Sequence, residues 1–177
     1  MENILVVVDM QKDFVDGALG TAEAVAILEP AAKLIRSWDG IVIATLDTHG
    51  ENYLDTAEGR KLPVPHCIKD TEGWALHPVI AQALEGRQFY TVEKPTFGSV
   101  RLPQVIREVT DGGPIAITVI GLCTDICVVS NALLLKAYFP ETAIAVDAAC
   151  CAGVTPAAHA SALDTMRSCQ IDILNAD

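Results

Sequence analysis

Short runs rich in β-branched and aromatic residues recur along this chain, and each gives way to a stretch with helical periodicity. The runs are 4–8, 41–46, 88–93, 115–120, 142–146 and 171–174. A run that is apolar on both faces belongs to a strand covered on both faces, as in a parallel sheet. The intervening sequence predicts helices over 24–38, 74–84, 102–109, 128–137 and 156–166. Strands alternating with helices define an α/β chain: a three-layer α/β/α arrangement around a parallel, six-stranded, Rossmann-like sheet. The 177 residues suffice for one such domain, spanning 1–177.

A formal charge of −11 and the lack of any basic patch argue against nucleic acid or an anionic membrane as a partner. No apolar stretch is long enough to span a bilayer. Met1-Glu2-Asn3 runs directly into the first strand without the basic region of a signal peptide. The six cysteines, at 67, 123, 127, 150, 151 and 169, are expected to be reduced, and the expected location is cytoplasmic.

Parallel sheets bind ligands beyond the carboxyl ends of their strands. Three of the runs end at Asp9, Asp47 and Lys94, and the run 115–120 leads to Cys127. A lone Asp after a strand is commonly a turn former; four chemically able residues on one edge are harder to assign to turns. Gly121-Leu122-Cys123-Thr124-Asp125-Ile126-Cys127-Val128 joins a strand to a helix. Thr124 or Asp125 is expected to cap that helix. Cys127 would then lie in its first turn, where backbone N–H groups favour a thiolate. Burial as a small hydrophobe is the alternative.

Three segments together resemble the isochorismatase-like cysteine hydrolases, and within them the nicotinamidase/pyrazinamidase branch. They are Val8-Asp9-Met10-Gln11-Lys12-Asp13-Phe14, Glu93-Lys94-Pro95-Thr96-Phe97 and Gly121 to Val128, in family order across nearly the whole chain. The resemblance implies a catalytic triad of Asp9, Lys94 and Cys127. It also implies a cis peptide at Leu122–Cys123 and an oxyanion hole formed by the N–H groups of Cys123 and Cys127. The chemistry is coherent: a carboxylate whose pKa is raised by burial can take the thiol proton, and a lysine between them steadies both anions.

Between strands two and three lies a long loop, 48–73, of the kind that usually carries function. Asp47 and His49, two residues apart, can face one ion from a strand end, and a distant His can complete the set. By resemblance the ligands are Asp47, His49 and His66, with Glu58 as the fourth, holding Zn²⁺, Fe²⁺ or Mn²⁺. Two departures stand out. Asn52-Tyr53-Leu54-Asp55 occupies the region where relatives carry a further histidine, and Leu62-Pro63-Val64-Pro65 replaces their tryptophan. Phe14 and Phe97 remain as candidate substrate-binding walls. His77 and His159 are expected to be structural residues within helices, and Cys150-Cys151 to be packing residues in a strand-to-helix turn.

The resemblance thus implies a hydrolase of C–N bonds outside peptides, cleaving a small nicotinamide-like carboxamide to acid and ammonia, in a homo-oligomer. Carbamoyl, ureido or other small amides are the alternative substrates. A thiol redox sensor using Cys123 and Cys127, or an inactive metal-binding protein, is the alternative of another class.

Overall fold

The structure, a computed structural model, describes residues 1–176. Six parallel strands form one sheet: β1 (Glu2–Val8), β2 (Ile41–Asp47), β3 (Tyr90–Lys94), β4 (Ile115–Leu122), β5 (Ala143–Ala152) and β6 (Asp172–Leu174). Their order across the sheet is β3-β2-β1-β4-β5-β6. Ile4 to Val8 of β1 are wholly buried, as the central place of that strand requires.

The helices are α1 (Lys12–Val15), α2 (Ala22–Ala26), α3 (Leu28–Ser37), α4 (Ala57–Lys61), α5 (Pro78–Leu84), α6 (Leu102–Val109), α7 (Val129–Tyr138) and α8 (Pro156–Ser168). Right-handed crossovers put α3 and α5 together on one face, and α6, α7 and α8 in a row on the other. The chain therefore has the three-layer α/β/α architecture expected from its sequence. The crossovers change face between β1 and β4, and in open α/β sheets that switch point opens a crevice for ligands.

Gly121 makes the junction of β1 and β4 possible. It has φ +118°, and a Cβ built there would lie 2.1 Å from the Val8 carbonyl oxygen. Only glycine permits both that backbone conformation and that approach.

Several boundaries differ from the sequence reading, each for a local reason. The single helix expected over 24–38 is two, because Pro30 cannot donate to the Ala26 carbonyl and its ring would crowd it; α2 ends at Ala26. The helix expected from Trp74 starts at Pro78, with His77 as its N-cap. Residues before it are held elsewhere: Trp74 Nε1 donates to Thr48 Oγ1 (2.9 Å), and Leu76 bridges to Gln11. The fifth strand, expected to stop at Val146, continues to Ala152. Its register with β4 passes from Val119↔Val146 to Gly121↔Cys151, so two steps along β4 match five along β5. Cys150 and Cys151 are thus buried strand residues rather than part of a turn. The loop 48–73 contains a 3₁₀ turn, Tyr53–Asp55, and α4, which Thr56 caps by accepting from Gly59 N–H at 3.0 Å.

Candidate active site and metal centre

Asp9, Asp47 and Lys94 stand at the carboxyl ends of three adjacent strands, and the turn after β4 brings Cys127 to them. Asp47 and Lys94 are direct partners in the β2–β3 register. Asp9 leaves β1 with φ +48°, a left-handed conformation that Asp tolerates better than most residues. Its backbone N–H stays tied to the Thr45 carbonyl at 3.2 Å.

Lys94 is 1% exposed, and its Nζ is the hub of the site. It lies 2.5 Å from Asp9 Oδ2, 3.0 Å from the Thr96 carbonyl, 3.4 Å from Asp47 Oδ1 and 3.6 Å from Cys127 Sγ. Asp9 Oδ1 accepts a 2.6 Å hydrogen bond from Thr45 Oγ1. Apart from its ion pair with Lys94, Oδ2 has no partner among the described residues.

Burial raises the Asp9 carboxyl above its ordinary range, against the pull of Lys94, and nearby Asp47 adds to the rise. Burial likewise lifts the Cys127 thiol well above its ordinary value; Asp9 adds to this and Lys94 opposes it. Burial alone would lower the Lys94 ammonium, but Asp9, Cys127 and Asp47 raise it and keep it charged. Lys94 therefore stays an ammonium, and the Cys127 thiol holds its proton more tightly than a free thiol does. The helix-start thiolate expected from the sequence is overridden by desolvation in a closed site.

The segment that carries Cys127 is a π-helical turn, Thr124–Val128, running into α7. Such turns are frequent at functional positions. The Leu122–Cys123 peptide is cis. Neither Thr124 nor Asp125 caps the helix. Thr124 Oγ1 pairs with His159 Nδ1 at 2.7 Å, and Asp125 Oδ1 accepts from Val154 N–H at 2.9 Å. Asn131 pins the turn from one helical turn below, where Nδ2 donates to the carbonyls of Cys127 (2.8 Å) and Phe97 (3.1 Å) and Oδ1 accepts from Ser99 N–H.

Asp47, His49, Glu58 and His66 converge, with one ligand atom from each lying within 4.8 Å of the others. His49 Nε2 is 2.9 Å from Asp47 Oδ2, and His66 Nε2 is 3.5 Å from the same oxygen and 3.6 Å from Glu58 Oε1. The distant histidine arrives because the segment after it pairs with the first: His49 N–H donates to the Cys67 carbonyl and Lys69 N–H to that of His49. The Val64 carbonyl, 2.8 Å from His66 Nδ1, fixes that ring, as the outer partners of metal-binding histidines do.

Burial raises Glu58, and the neighbouring Asp47 adds to the rise. In Asp47 burial pushes upward, but the histidines and Lys94 hold the carboxyl well below the usual range. Two crowded carboxylates and two imidazoles aimed at one point fit a divalent cation.

Phe14 and Phe97 line a cavity of about 50 Å³ with Asp47, His66, Cys123 and Cys127. All the site residues expected from the sequence are thus brought to one place. His159 lies in α8 and holds Thr124, a structural role as expected, whereas His77 lies outside α5, where its ring accepts from Val79 N–H and faces Asp16 at 3.4 Å.

Sequence reasoning missed the supports. Gln11 clamps the strand end, its Nε2 donating to the Asp47 carbonyl (2.9 Å) and its Oε1 accepting from Asp47 N–H (2.8 Å). Tyr53 packs edgewise on both His49 and His66, its hydroxyl donating to the Leu62 carbonyl. Thr45 and Asn131 complete the set.

A model of the isochorismatase domain matches residues 3–177. A relative from Bacillus subtilis (strain 168), described as an uncharacterized isochorismatase family protein PncA, is 32% identical over 177 residues, or 92% of this chain and 93% of its own. The crystal structure of nicotinamidase/pyrazinamidase PncA from Bacillus subtilis superimposes with a TM-score of 0.85 at 25% identity, covering 99% of this chain and all of that one. Pyrazinamidase of Pyrococcus horikoshii in complex with zinc does so with a TM-score of 0.78 at 25% identity and the same coverage. The chain belongs to the isochorismatase family, near its nicotinamidase branch. Within that family it is an amidohydrolase, acting on C–N bonds other than peptide bonds. Among the described residues no helix is long and apolar enough to cross a membrane.

Proposed function

We propose that the chain hydrolyses a small, nicotinamide-like carboxamide to its acid and ammonia through a thioester on Cys127. The observation that carries this reading is the position of Lys94 Nζ within 3.6 Å of Cys127 Sγ and in an ion pair with Asp9. As sulfur attacks the amide carbonyl, the thiol proton passes to the Asp9 carboxylate, whose raised pKa suits it to receive one. The carbonyl oxygen gains a negative charge and accepts hydrogen bonds from the N–H groups of Cys123 and Cys127. The C–N bond then breaks as Asp9 returns the proton to nitrogen, and ammonia leaves. Asp9 next deprotonates water, which attacks the thioester. The acid departs and the sulfur recovers its proton.

Asp47, His49, Glu58 and His66 would hold a divalent ion of the Zn²⁺, Fe²⁺ or Mn²⁺ type. When bound it supplies a Lewis acid able to anchor a polar atom of the substrate, such as a ring nitrogen. The relative from Pyrococcus horikoshii was solved with zinc. Phe14 and Phe97 supply apolar walls.

The redox-sensor reading has less in its favour. Burial pushes the Cys123 thiol up to about 12 and Cys127 also upward, whereas a sensor needs a ready thiolate.

The test is ammonia release from nicotinamide, ureido compounds and other small amides by metal-loaded protein, with intact mass measured during turnover. Release together with an acyl adduct on Cys127 is expected. No release from any amide in the panel overturns the proposal.

A further inference from the structure

The inner cavity at Cys127, about 50 Å³, adjoins a larger one of about 430 Å³. The two share Glu58, Leu62, Phe97 and Ile126 as walls, and Ala57, Lys61 and Thr96 complete the outer one. The outer volume lies in the range of small-molecule sites, and the inner one is much the smaller. Leu62 and Phe97 are 38% and 44% exposed, an arrangement that leaves apolar surface facing the outer space. Glu58 is turned toward the histidines, so Lys61 is the charged lining residue left for the outer cavity.

From this we infer that the outer cavity is a substrate subsite. It would take an uncharged apolar arm of the acyl group, while the primary amide reaches Cys127 through the inner neck. This rests on the hydrolase reading and deepens it: the preferred substrate is a primary carboxamide carrying an alkyl or aryl substituent remote from the amide, rather than bare nicotinamide. The shared walls argue for this occupant, because a ligand with its carbonyl at Cys127 can extend past Leu62, Phe97 and Ile126 into the outer cavity. Two buried methylenes are worth about tenfold in affinity.

The experiment uses nicotinamide and nicotinamides bearing ethyl or butyl groups on the ring, with the wild-type chain and Ala57→Trp. Ala57 lines the outer cavity, is absent from the walls of the inner one and opens α4, so a bulky side chain there takes up room in the subsite. Turnover is read as kcat/KM, and binding separately by calorimetry. A gain of about tenfold or more for the butyl compound over nicotinamide is expected, and Ala57→Trp should abolish that gain. If substituted amides bind tighter yet none is cleaved, the hydrolase reading fails and the subsite stands. If nicotinamide is cleaved with no gain for the arm, or Ala57→Trp affects all amides alike, the subsite is wrong. Self-association that Ala57→Trp abolishes, with substrate preference unmoved, would assign this surface to a second copy of the chain and overturn the proposal.

Discussion

Lys94 Nζ stands 3.4 Å from Asp47 Oδ1, while Asp47 Oδ2 faces His49 and His66 at 2.9 and 3.5 Å. One carboxylate therefore belongs to both halves of the site. A charge removed from either half is felt by the other, because the pair is buried and screening by solvent is weak.

Replacing Lys94 by Met should leave the Asp9 carboxylate buried without its counter-ion. A loss of about 3–5 kcal/mol is expected, since a buried ion pair broken on one side leaves an uncompensated charge. Urea unfolding of metal-loaded protein measures it. The double variant Lys94→Met with Asp9→Asn should recover much of the loss, and equal stabilities of the single and double variants would count against the pairing.

Cys127→Ala should reduce kcat/KM by about a thousandfold or more and abolish any acyl adduct in the mass spectrum. The thiol is 4% exposed and small, so the melting temperature should shift by only a few degrees. Full turnover by this variant would remove the covalent route.

The acid side of the pH–rate profile should report Asp9. Its carboxyl is raised above the ordinary 3.8 by burial, so kcat/KM should climb with pH through an inflection above that value. For stability the sign runs the other way. The folded chain binds this proton more tightly than the unfolded one, so the contribution is present below 3.8 and lost as pH rises through the raised value. An inflection at or below 3.8 would mean that another group is the base.

Thr45→Val removes the hydroxyl that donates to Asp9 Oδ1 and helps the charged form. The acid inflection should move further up, and stability should fall by about 1–3 kcal/mol as the oxygen loses its partner. An unmoved inflection would show that this hydrogen bond does not tune the base.

Chelation should strip one divalent ion per chain, with a fall in melting temperature that Zn²⁺ or Mn²⁺ restores. His66→Ala should abolish stoichiometric metal by elemental analysis, and Glu58→Gln should weaken retention. Metal held equally well by His66→Ala would place the ion elsewhere.

The candidate site residues are legible because the fold brings strand ends together on one edge, and strand ends show in a sequence as a polar residue closing an apolar run. Asp9, Asp47 and Lys94 are found that way. Their supports are not, because nothing local marks them: Gln11 and Thr45 each reach a partner 36 positions away, and Asn131 binds the loop at 97–99 across 32 and 34. Helix limits differ from those the sequence suggests where proline intervenes, at Pro30 and Pro78. Thr124 and Asp125 looked like caps, but tertiary partners on the far side of the turn, His159 and Val154, compete for the same side-chain oxygens. The extension of β5 through Cys151 was hidden because its register slips against β4.

At Gly121 the two central strands approach so closely that a hydrogen takes the place of a side chain. The gap between Asp9 and the thiol-bearing turn is consequently set by main chain against main chain. Side chains at the cavity mouth, such as Leu62, Phe97 and Ile126, take no part in setting it. Substrate range can therefore drift through the mouth, by natural descent or by engineering, while the reactive spacing is inherited intact.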